Sequence, residues 1–293
     1  MDYVVGNLGL NSFYRASNRY PVSIYAADFD HNGILDAIPT VYLPDQQGSL
    51  QEFPAQTRDD IIRQLPGLRK RFPTYKDFAN ANIHEILSSA DLESALTLRA
   101  NHMASVYIEN LGNGKFTMRD LPSRAQFAPL YGMQTDDFNH DGNLDLIVCG
   151  NDFGTEVSKG RYDALNGLLL LGDGKGNFNP QSPAQSGICI PGDAKGLVRF
   201  MGRNDQYKIA SSQNRGELKM FGLRDSQQII RLRPDDVAAY ITLKSGKTRK
   251  EETYFGSSFL SQSSRFILLS EAIKSVRIIN NAGESRTIML TTK

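Results

Sequence analysis

Only two cysteines, Cys149 and Cys189, occur in 293 residues. They lie far apart and supply neither the paired spacing of a zinc site nor a disulfide framework. Each reads as a small buried apolar residue rather than a reactive thiol. No apolar run reaches the roughly 18 residues that a membrane-crossing helix needs. The opening residues Met1-Asp2-Tyr3-Val4-Val5-Gly6 have no basic segment and no long apolar segment, so no signal peptide is read there. The formal charge is only +1, which excludes a nucleic-acid binder driven by net charge. Catalytic signatures are missing too: there is no G-x-S-x-G, no H-E-x-x-H and no triad spacing. Gly112-Asn113-Gly114-Lys115 is no phosphate loop, because Phe116 stands where Ser or Thr is required and Glu109 where Gly is. What is present is a chain 40% hydrophobic with mean hydropathy −0.38, able to bury the core of one large or two medium domains.

Two nine-residue stretches agree position for position: Asp28-Phe29-Asp30-His31-Asn32-Gly33-Ile34-Leu35-Asp36 and Asp137-Phe138-Asn139-His140-Asp141-Gly142-Asn143-Leu144-Asp145. Oxygen-bearing side chains fall at positions 1, 3, 5 and 9, with glycine at 6. A hard cation such as Ca²⁺ takes six to eight oxygens, and alternate residues of a tight loop can aim several at one centre. Glycine permits the sharp turn. An EF-hand is excluded: its bidentate Glu belongs at position 12, where Pro39 and Val148 stand, and its flanks are helices. Here the flanks, Val22–Ala26 and Leu144–Val148, are short and apolar, which reads as strand. Each stretch is therefore a cation loop between two strands. The bland reading is an Asp/Asn/Gly turn without metal. His31 and His140 hold position 4, which ligates nothing and is expected to face solvent. His84 and His102 are expected at surface or partly buried positions.

Along the chain, residues 3–13 resemble the end of a repeat, and a strand–loop–strand follows over 22–43. From about Thr57 to His102 the pattern is helical: Asp59-Asp60-Ile61-Ile62 with acidic residues first, Ile83–Leu87, and Ser88-x-x-Asp91 as a capped start followed by Leu92, Ala95, Leu96 and Leu98. Strand character returns at 104–109 and leads into Asn113-Gly114, a strong hairpin signal. After the second Asp loop, Gly167–Leu171 runs into Gly172-Asp173-Gly174-Lys175-Gly176-Asn177-Phe178. Asp loop, strand, Gly-rich hairpin and Phe thus occur twice. Phe178 lies 41 residues after Asp137 and Phe116 lies 88 after Asp28; the excess of 47 is close to the length of the helical stretch. A repeat of about forty residues with four short strands is the period of a propeller blade. A decayed third copy is read over 197–221, keeping only Asn204-Asp205 of the loop. From about Gln227 onward the pattern is a small all-β domain.

The Asp loop followed by the Gly-rich hairpin resembles the FG-GAP/VCBS repeat of integrin-type β-propellers. The stretch Phe255-Gly256-Ser257-Ser258-Phe259-Leu260-Ser261-Gln262-Ser263-Ser264-Arg265 looks like the ASPIC/UnbV domain. The resemblance implies an all-β fold. Residues 1–225 would be a partial β-propeller of FG-GAP/VCBS-type blades with a helical insertion at about 57–102, and 226–293 an ASPIC/UnbV-like small β domain. It implies Ca²⁺ bound by Asp28, Asp30, Asn32 and Asp36 with the Ile34 carbonyl, and by Asp137, Asn139, Asp141 and Asp145 with the Asn143 carbonyl. It further implies an extracellular, cell-surface or periplasmic binding or scaffold module, presenting loops to a protein or glycan. A propeller needs about four to eight blades, so a longer polypeptide is expected to supply the rest. No catalytic residue is identified. The alternative is a propeller-fold polysaccharide lyase or hydrolase with structural Ca²⁺. The Ser/Gln run reads as side chains that hydrogen-bond local backbone turns.

Overall fold

The computed structural model describes residues 1–203, 206–223, 228–253 and 255–290. Asn204-Asp205, the expected remnant of a third loop, and the expected boundary at 225/226 lie outside the described residues. The chain divides into two compact units, Ser12–Met103 and Met1–Asn11 with Ala104–Lys293. Strand β1 (Tyr3–Val5) belongs to the second of these.

The unit Ser12–Met103 contains one four-stranded antiparallel sheet with five short helices. Strands β2 (Val22–Ala27), β3 (Asp36–Pro44), β4 (Leu50–Pro54) and β5 (Leu96–Ala100) are ordered β4-β3-β2-β5. The first Asp loop closes the β2–β3 hairpin, whose last pair is Ala27↔Asp36. The helices are α1 (Arg58–Gln64), α2 (Leu68–Arg71), α3 (Tyr75–Ala79), α4 (Ile83–Ile86) and α5 (Ser89–Ser94). Their starts follow from sequence. Ser88 accepts from the Asp91 N–H while the Asp91 side chain accepts from the Ser88 N–H, and Thr74/Asp77 and Asn82/Glu85 repeat the device. Ile61, Leu65, Phe78, Ile83 and Ile86 share one core with Tyr25 and Ile38 of the sheet. The helical stretch stops earlier than expected. Ala95 is already extended, and Leu96–Ala100 pairs with β2 from Ala26↔Leu96 to Val22↔Ala100. The free backbone edge of β2 outweighs the helical spacing of Leu92, Ala95 and Leu96.

The other unit is a set of small antiparallel sheets. Strands β6 (Val106–Gly112) and β7 (Lys115–Asp120) join β1 in the order β1-β6-β7. Strands β8 (Leu130–Asp136), β9 (Asp145–Gly150), β10 (Leu168–Gly172) and β11 (Phe178–Pro180) form a four-stranded meander. In it the second Asp loop joins β8 to β9 and the Gly-rich hairpin joins β10 to β11, as the repeat predicts. The one-turn helix α6 (Pro183–Ser186) leads to β12 (Ala194–Met201), β13 (Tyr207–Gln213) and β14 (Lys219–Gly222), a three-stranded meander. The remaining strands are β15 (Gln228–Arg231), β16 (Asp236–Leu243), β17 (Thr248–Glu252), β18 (Phe266–Leu269), β19 (Ile273–Asn280) and β20 (Ser285–Met289), in sheets β15-β18 and β17-β16-β19-β20.

Every residue of β9 is buried, because both faces of the β8–β11 sheet are covered. Leu146 and Val148 meet Val4, Tyr107, Leu130 and Leu168 on one side. Ile147 and Cys149 meet Leu197, Tyr207, Ile209 and Phe266 on the other. Alternate residues thus enter different cores, the consequence of a two-residue side-chain period. β18 does the same: Phe266 and Leu268 enter the core with β12 and β13, while Ile267 packs with Ala239, Ile241 and Val276. One expectation needs correction. The first repeat is not one meander, since the β2–β3 hairpin is completed by β4 and β5 whereas β6–β7 pairs with β1. Excising the helical stretch does not reunite them. The strands lie in several small antiparallel sheets, and no closed propeller is found among the described residues.

Candidate metal centre

The two Asp loops fold alike. The position-9 carboxylate accepts from the position-2 N–H: Phe29 N to Asp36 Oδ2 at 3.2 Å, and Phe138 N to Asp145 Oδ2 at 2.9 Å. The position-1 carboxylate accepts from the glycine N–H: Gly33 N to Asp28 Oδ2 at 2.8 Å, and Gly142 N to Asp137 Oδ2 at 3.0 Å. The position-5 side chain accepts from position 7: Ile34 N to Asn32 Oδ1 at 2.8 Å, and Asn143 N to Asp141 Oδ1 at 2.7 Å. His31 and His140 adopt φ of 57° and 63°, and Gly33 and Gly142 φ of 87° and 90°. The left-handed pair turns the chain back so that oxygens one, three, five and nine sit around the bend; this is why position 6 is glycine.

The loops differ in setting. In the first, Asp28, Asp30 and Asp36 each bring a carboxylate oxygen within 4.8 Å of the others. Three like charges at that range repel one another unless a proton or cation intervenes. Burial pushes the Asp36 carboxyl above the ordinary range, and Asp30 and Asp28 add to the effect. Asn32 and Ile34 are exposed, so the side-chain amide and the position-7 backbone border solvent.

In the second loop Asp137 is 2% exposed, and its Oδ1 is buried with no hydrogen-bond partner. A buried carboxylate oxygen without a donor is unfavourable, and a cation at that oxygen relieves it. Asp145 is 1% exposed and its carboxyl is pushed up to about 6 by burial, against the lowering effect of N–H groups from Gly172, Phe138 and Asn139. Asn139 and Asp141 are exposed, and Asn139 Nδ2 donates to Asp141 Oδ2 at 3.1 Å. Among the described residues the second loop does not bring three carboxylates as close together as the first. Positions 3 and 5 are exposed in both loops, and the second differs in burying position 1 as well as position 9.

Asp145 also ties the loop to the Gly-rich hairpin. Its Oδ1 accepts from Gly172 N at 2.9 Å, and a Cβ at Gly174 would lie 2.3 Å from Asn143 Oδ1. One carboxylate therefore closes two turns, a reason for both to belong to one repeat. The loop is backed by the C-terminal strands as well. Arg249 donates to the Gly142 carbonyl at 2.8 Å, and Gly142 faces Ala272 and Leu243. His140 is half-buried, contrary to the solvent-facing position expected for it, while His31 is exposed.

Sequence reasoning missed Asp136. Its Oδ2 accepts from Arg199 Nη1 at 2.5 Å and from Tyr207 Oη at 2.9 Å. No local signal marks this trio, because its members lie on β8, β12 and β13. The Ser/Gln run does more than stabilise its own turns. Ser258, Ser261 and Ser263 hydroxyls accept from the backbone N–H of Met133, Leu197 and Arg199 at 2.9, 2.9 and 3.0 Å. Hydroxyls thus substitute for a neighbouring strand along β8 and β12. Cys149 is buried as expected, but Cys189 is exposed.

No family model matches the chain, and no curated protein does. Among solved structures it is similar to one titled "Streptogramin B lyase structure", at 12% identity and a TM-score of 0.20, over 100% of this chain and 88% of that one. A likeness that slight bears on neither fold detail nor function.

Proposed function

We propose that the chain is a Ca²⁺-binding, non-catalytic binding or scaffold module of FG-GAP/VCBS type with an ASPIC/UnbV-like C-terminal stretch. The observation that carries this reading is the shared geometry of the two Asp loops, down to three equivalent hydrogen bonds. Asp28, Asp30, Asn32 and Asp36 with the Ile34 carbonyl would hold one Ca²⁺. Asp137, Asn139, Asp141 and Asp145 with the Asn143 carbonyl would hold the other. All are hard oxygen donors, which suit Ca²⁺ over softer metals. Bound Ca²⁺ supplies positive charge where the carboxylates crowd; the backbone N–H groups already fix those carboxylates in place. The result is a stiffened hairpin end in each unit, able to present neighbouring loops to a protein or glycan. Calcium sites of extracellular modules work at millimolar Ca²⁺, and with the family resemblance this supports an extracellular, cell-surface or periplasmic setting.

Isothermal titration with Ca²⁺ tests the reading. Two equivalents are expected in the wild type and one after Asp28→Ala with Asp30→Ala or after Asp137→Ala with Asp141→Ala. No heat and no stoichiometry in any of the three would leave the loops as plain Asx turns.

A further inference from the structure

A cavity of about 1290 Å³ lies within the unit of Met1–Asn11 and Ala104–Lys293, lined by residues of β1, β8, β9, β17 and the Ser/Gln segment. It exceeds the roughly 300–1,000 Å³ typical of a pocket for one drug-sized molecule and has room for an extended occupant. Five cationic and four anionic side chains line it, which leaves little net field to select an ion. Most of these charges are already committed. Arg199 is held by Asp136 at 2.5 Å, Arg249 by Glu251 at 3.0 Å and Lys250 by Glu252 at 2.8 Å. Arg265 is spent on the backbone carbonyls of Arg233, Pro234, Asp236 and Thr253.

What remains for a ligand is one Glu251 oxygen balanced by Lys247, and neutral hydrogen-bonding groups beside apolar surface. Ser263 donates to Gln134 Oε1 at 2.9 Å and Ser257 to the Ser263 hydroxyl at 3.0 Å; Gln134 Nε2 also donates to the Thr135 carbonyl at 3.4 Å and the Ser257 hydroxyl accepts from the Ser263 N–H at 3.2 Å, which leaves one Gln134 amide N–H and one Ser257 lone pair. Glu251 uses Oε1 on Arg249, and its second oxygen can accept hydroxyls. Two lining aromatic rings, Tyr3 and Phe259, are 46% and 49% exposed. A carboxylate acceptor and an amide donor for hydroxyl groups, with half-exposed aromatic rings for ring C–H surfaces, match the two sides of a sugar ring. We propose that this cavity binds a neutral oligosaccharide several units long, with Glu251 and Gln134 taking its hydroxyls and Phe259 and Tyr3 its ring faces. The assignment deepens the binding-module reading and rests on it.

The test is calorimetric titration of the full chain with neutral gluco-, manno- and chito-hexasaccharides and with a heparin hexasaccharide as the anionic probe. At least one neutral hexasaccharide is expected to saturate at millimolar concentration or below, and the heparin fragment is not. Phe259→Ala, at an exposed site, should weaken that binding about 10-fold or more while the unfolding temperature stays within a degree or so of wild type; the isosteric Glu251→Gln should weaken it as much, with some loss of stability because it unpairs Arg249. The assignment is overturned if no neutral hexasaccharide binds, if the heparin fragment binds more tightly, or if both variants bind as wild type does. Ca²⁺ titration of the same sample separates the two proposals. Ca²⁺ uptake without sugar binding removes the cavity assignment alone, and sugar binding without Ca²⁺ uptake removes the cation reading alone. Burial pushes the Glu251 carboxyl up, although Arg249 opposes this, so the bound sugar is also followed for cleavage. Shortened products would support the cavity assignment and overturn the non-catalytic part of the proposed function.

Discussion

Asp136→Asn is the substitution whose effect follows most directly from the packing. The carboxylate sits at the end of β8, buried, with Arg199 and Tyr207 both on its Oδ2. The Arg199 side chain is 16% exposed. Burial works against its charge, and Asp136 more than compensates, holding the guanidinium firmly protonated. Asparagine keeps the shape and can accept one hydrogen bond, but it removes the balancing charge. Breaking a buried pair on one side costs about 3–5 kcal/mol. Arg199 retains some water access and its bond to the Phe266 carbonyl at 2.9 Å, so the low end, about 3 kcal/mol, applies. For a unit of this size each kcal/mol moves Tm by about 2–4 °C, giving a fall of about 6–12 °C. The assay is urea and thermal unfolding followed by circular dichroism, in chelator so that cation binding at the adjacent Asp137 does not contribute. Adding Arg199→Met should restore much of the loss, because the uncompensated charge then disappears; a coupling energy of about 2 kcal/mol is expected from the cycle. A loss under about 1 kcal/mol for Asp136→Asn, or a coupling near zero, would refute the reasoning.

Three further outcomes follow from other parts of the molecule. Arg286 grips Asp236 with two bonds of 2.5 Å and, as the largest influence, holds its carboxyl below the ordinary carboxylate range. A depressed folded pKa contributes stability above the unfolded value that is lost as pH falls through the lower folded one; Asp236→Asn should therefore flatten the stability–pH curve below about pH 4, measured by urea midpoints. Leu146, fully buried on β9 between β8 and β10, should cost about 2–5 kcal/mol as Leu146→Ala, read from chemical denaturation. Cys189 should react with a thiol reagent in the native protein, whereas Cys149, buried and with its thiol pushed up by burial, should react only on unfolding; two fast equivalents would contradict the packing of β9.

Much of the second repeat was legible in the sequence. The spacing of Asp137 through Asp145 and the Gly-rich run to Phe178 predicts the β8–β11 meander, because both turns depend on residues with unusual local freedom and the flanks are short and apolar. The capped helix at Ser88 was legible for the same reason: one hydrogen-bond exchange over three residues decides it. The first repeat misled because pairing is a competition. Leu96–Ala100 has acceptable helical spacing, yet β2 offers it a backbone edge, and β1 takes the hairpin that the repeat assigns elsewhere. Cys189 is exposed because it sits in the irregular link before β12, where Ile188 and Ile190 on either side take the buried positions. Asp136 and Arg199 are 63 residues apart; nothing local marks them, since each is an ordinary charged residue at a strand position. The cavity likewise comes from elements spread from β1 to β18, which no single motif announces.

The central claim is that the paired Asp loops hold Ca²⁺, and thermal unfolding tests it most directly. Wild type is compared in chelator and in millimolar Ca²⁺ with the two loop double variants, Asp28→Ala with Asp30→Ala and Asp137→Ala with Asp141→Ala. A site filled to about a hundred times its Kd adds about 2.7 kcal/mol, so Ca²⁺ should raise Tm by several degrees in wild type. Each double variant should lose the shift of its own unit's transition. Equal curves with and without Ca²⁺ in all three proteins would contradict the claim and leave both loops as metal-free turns.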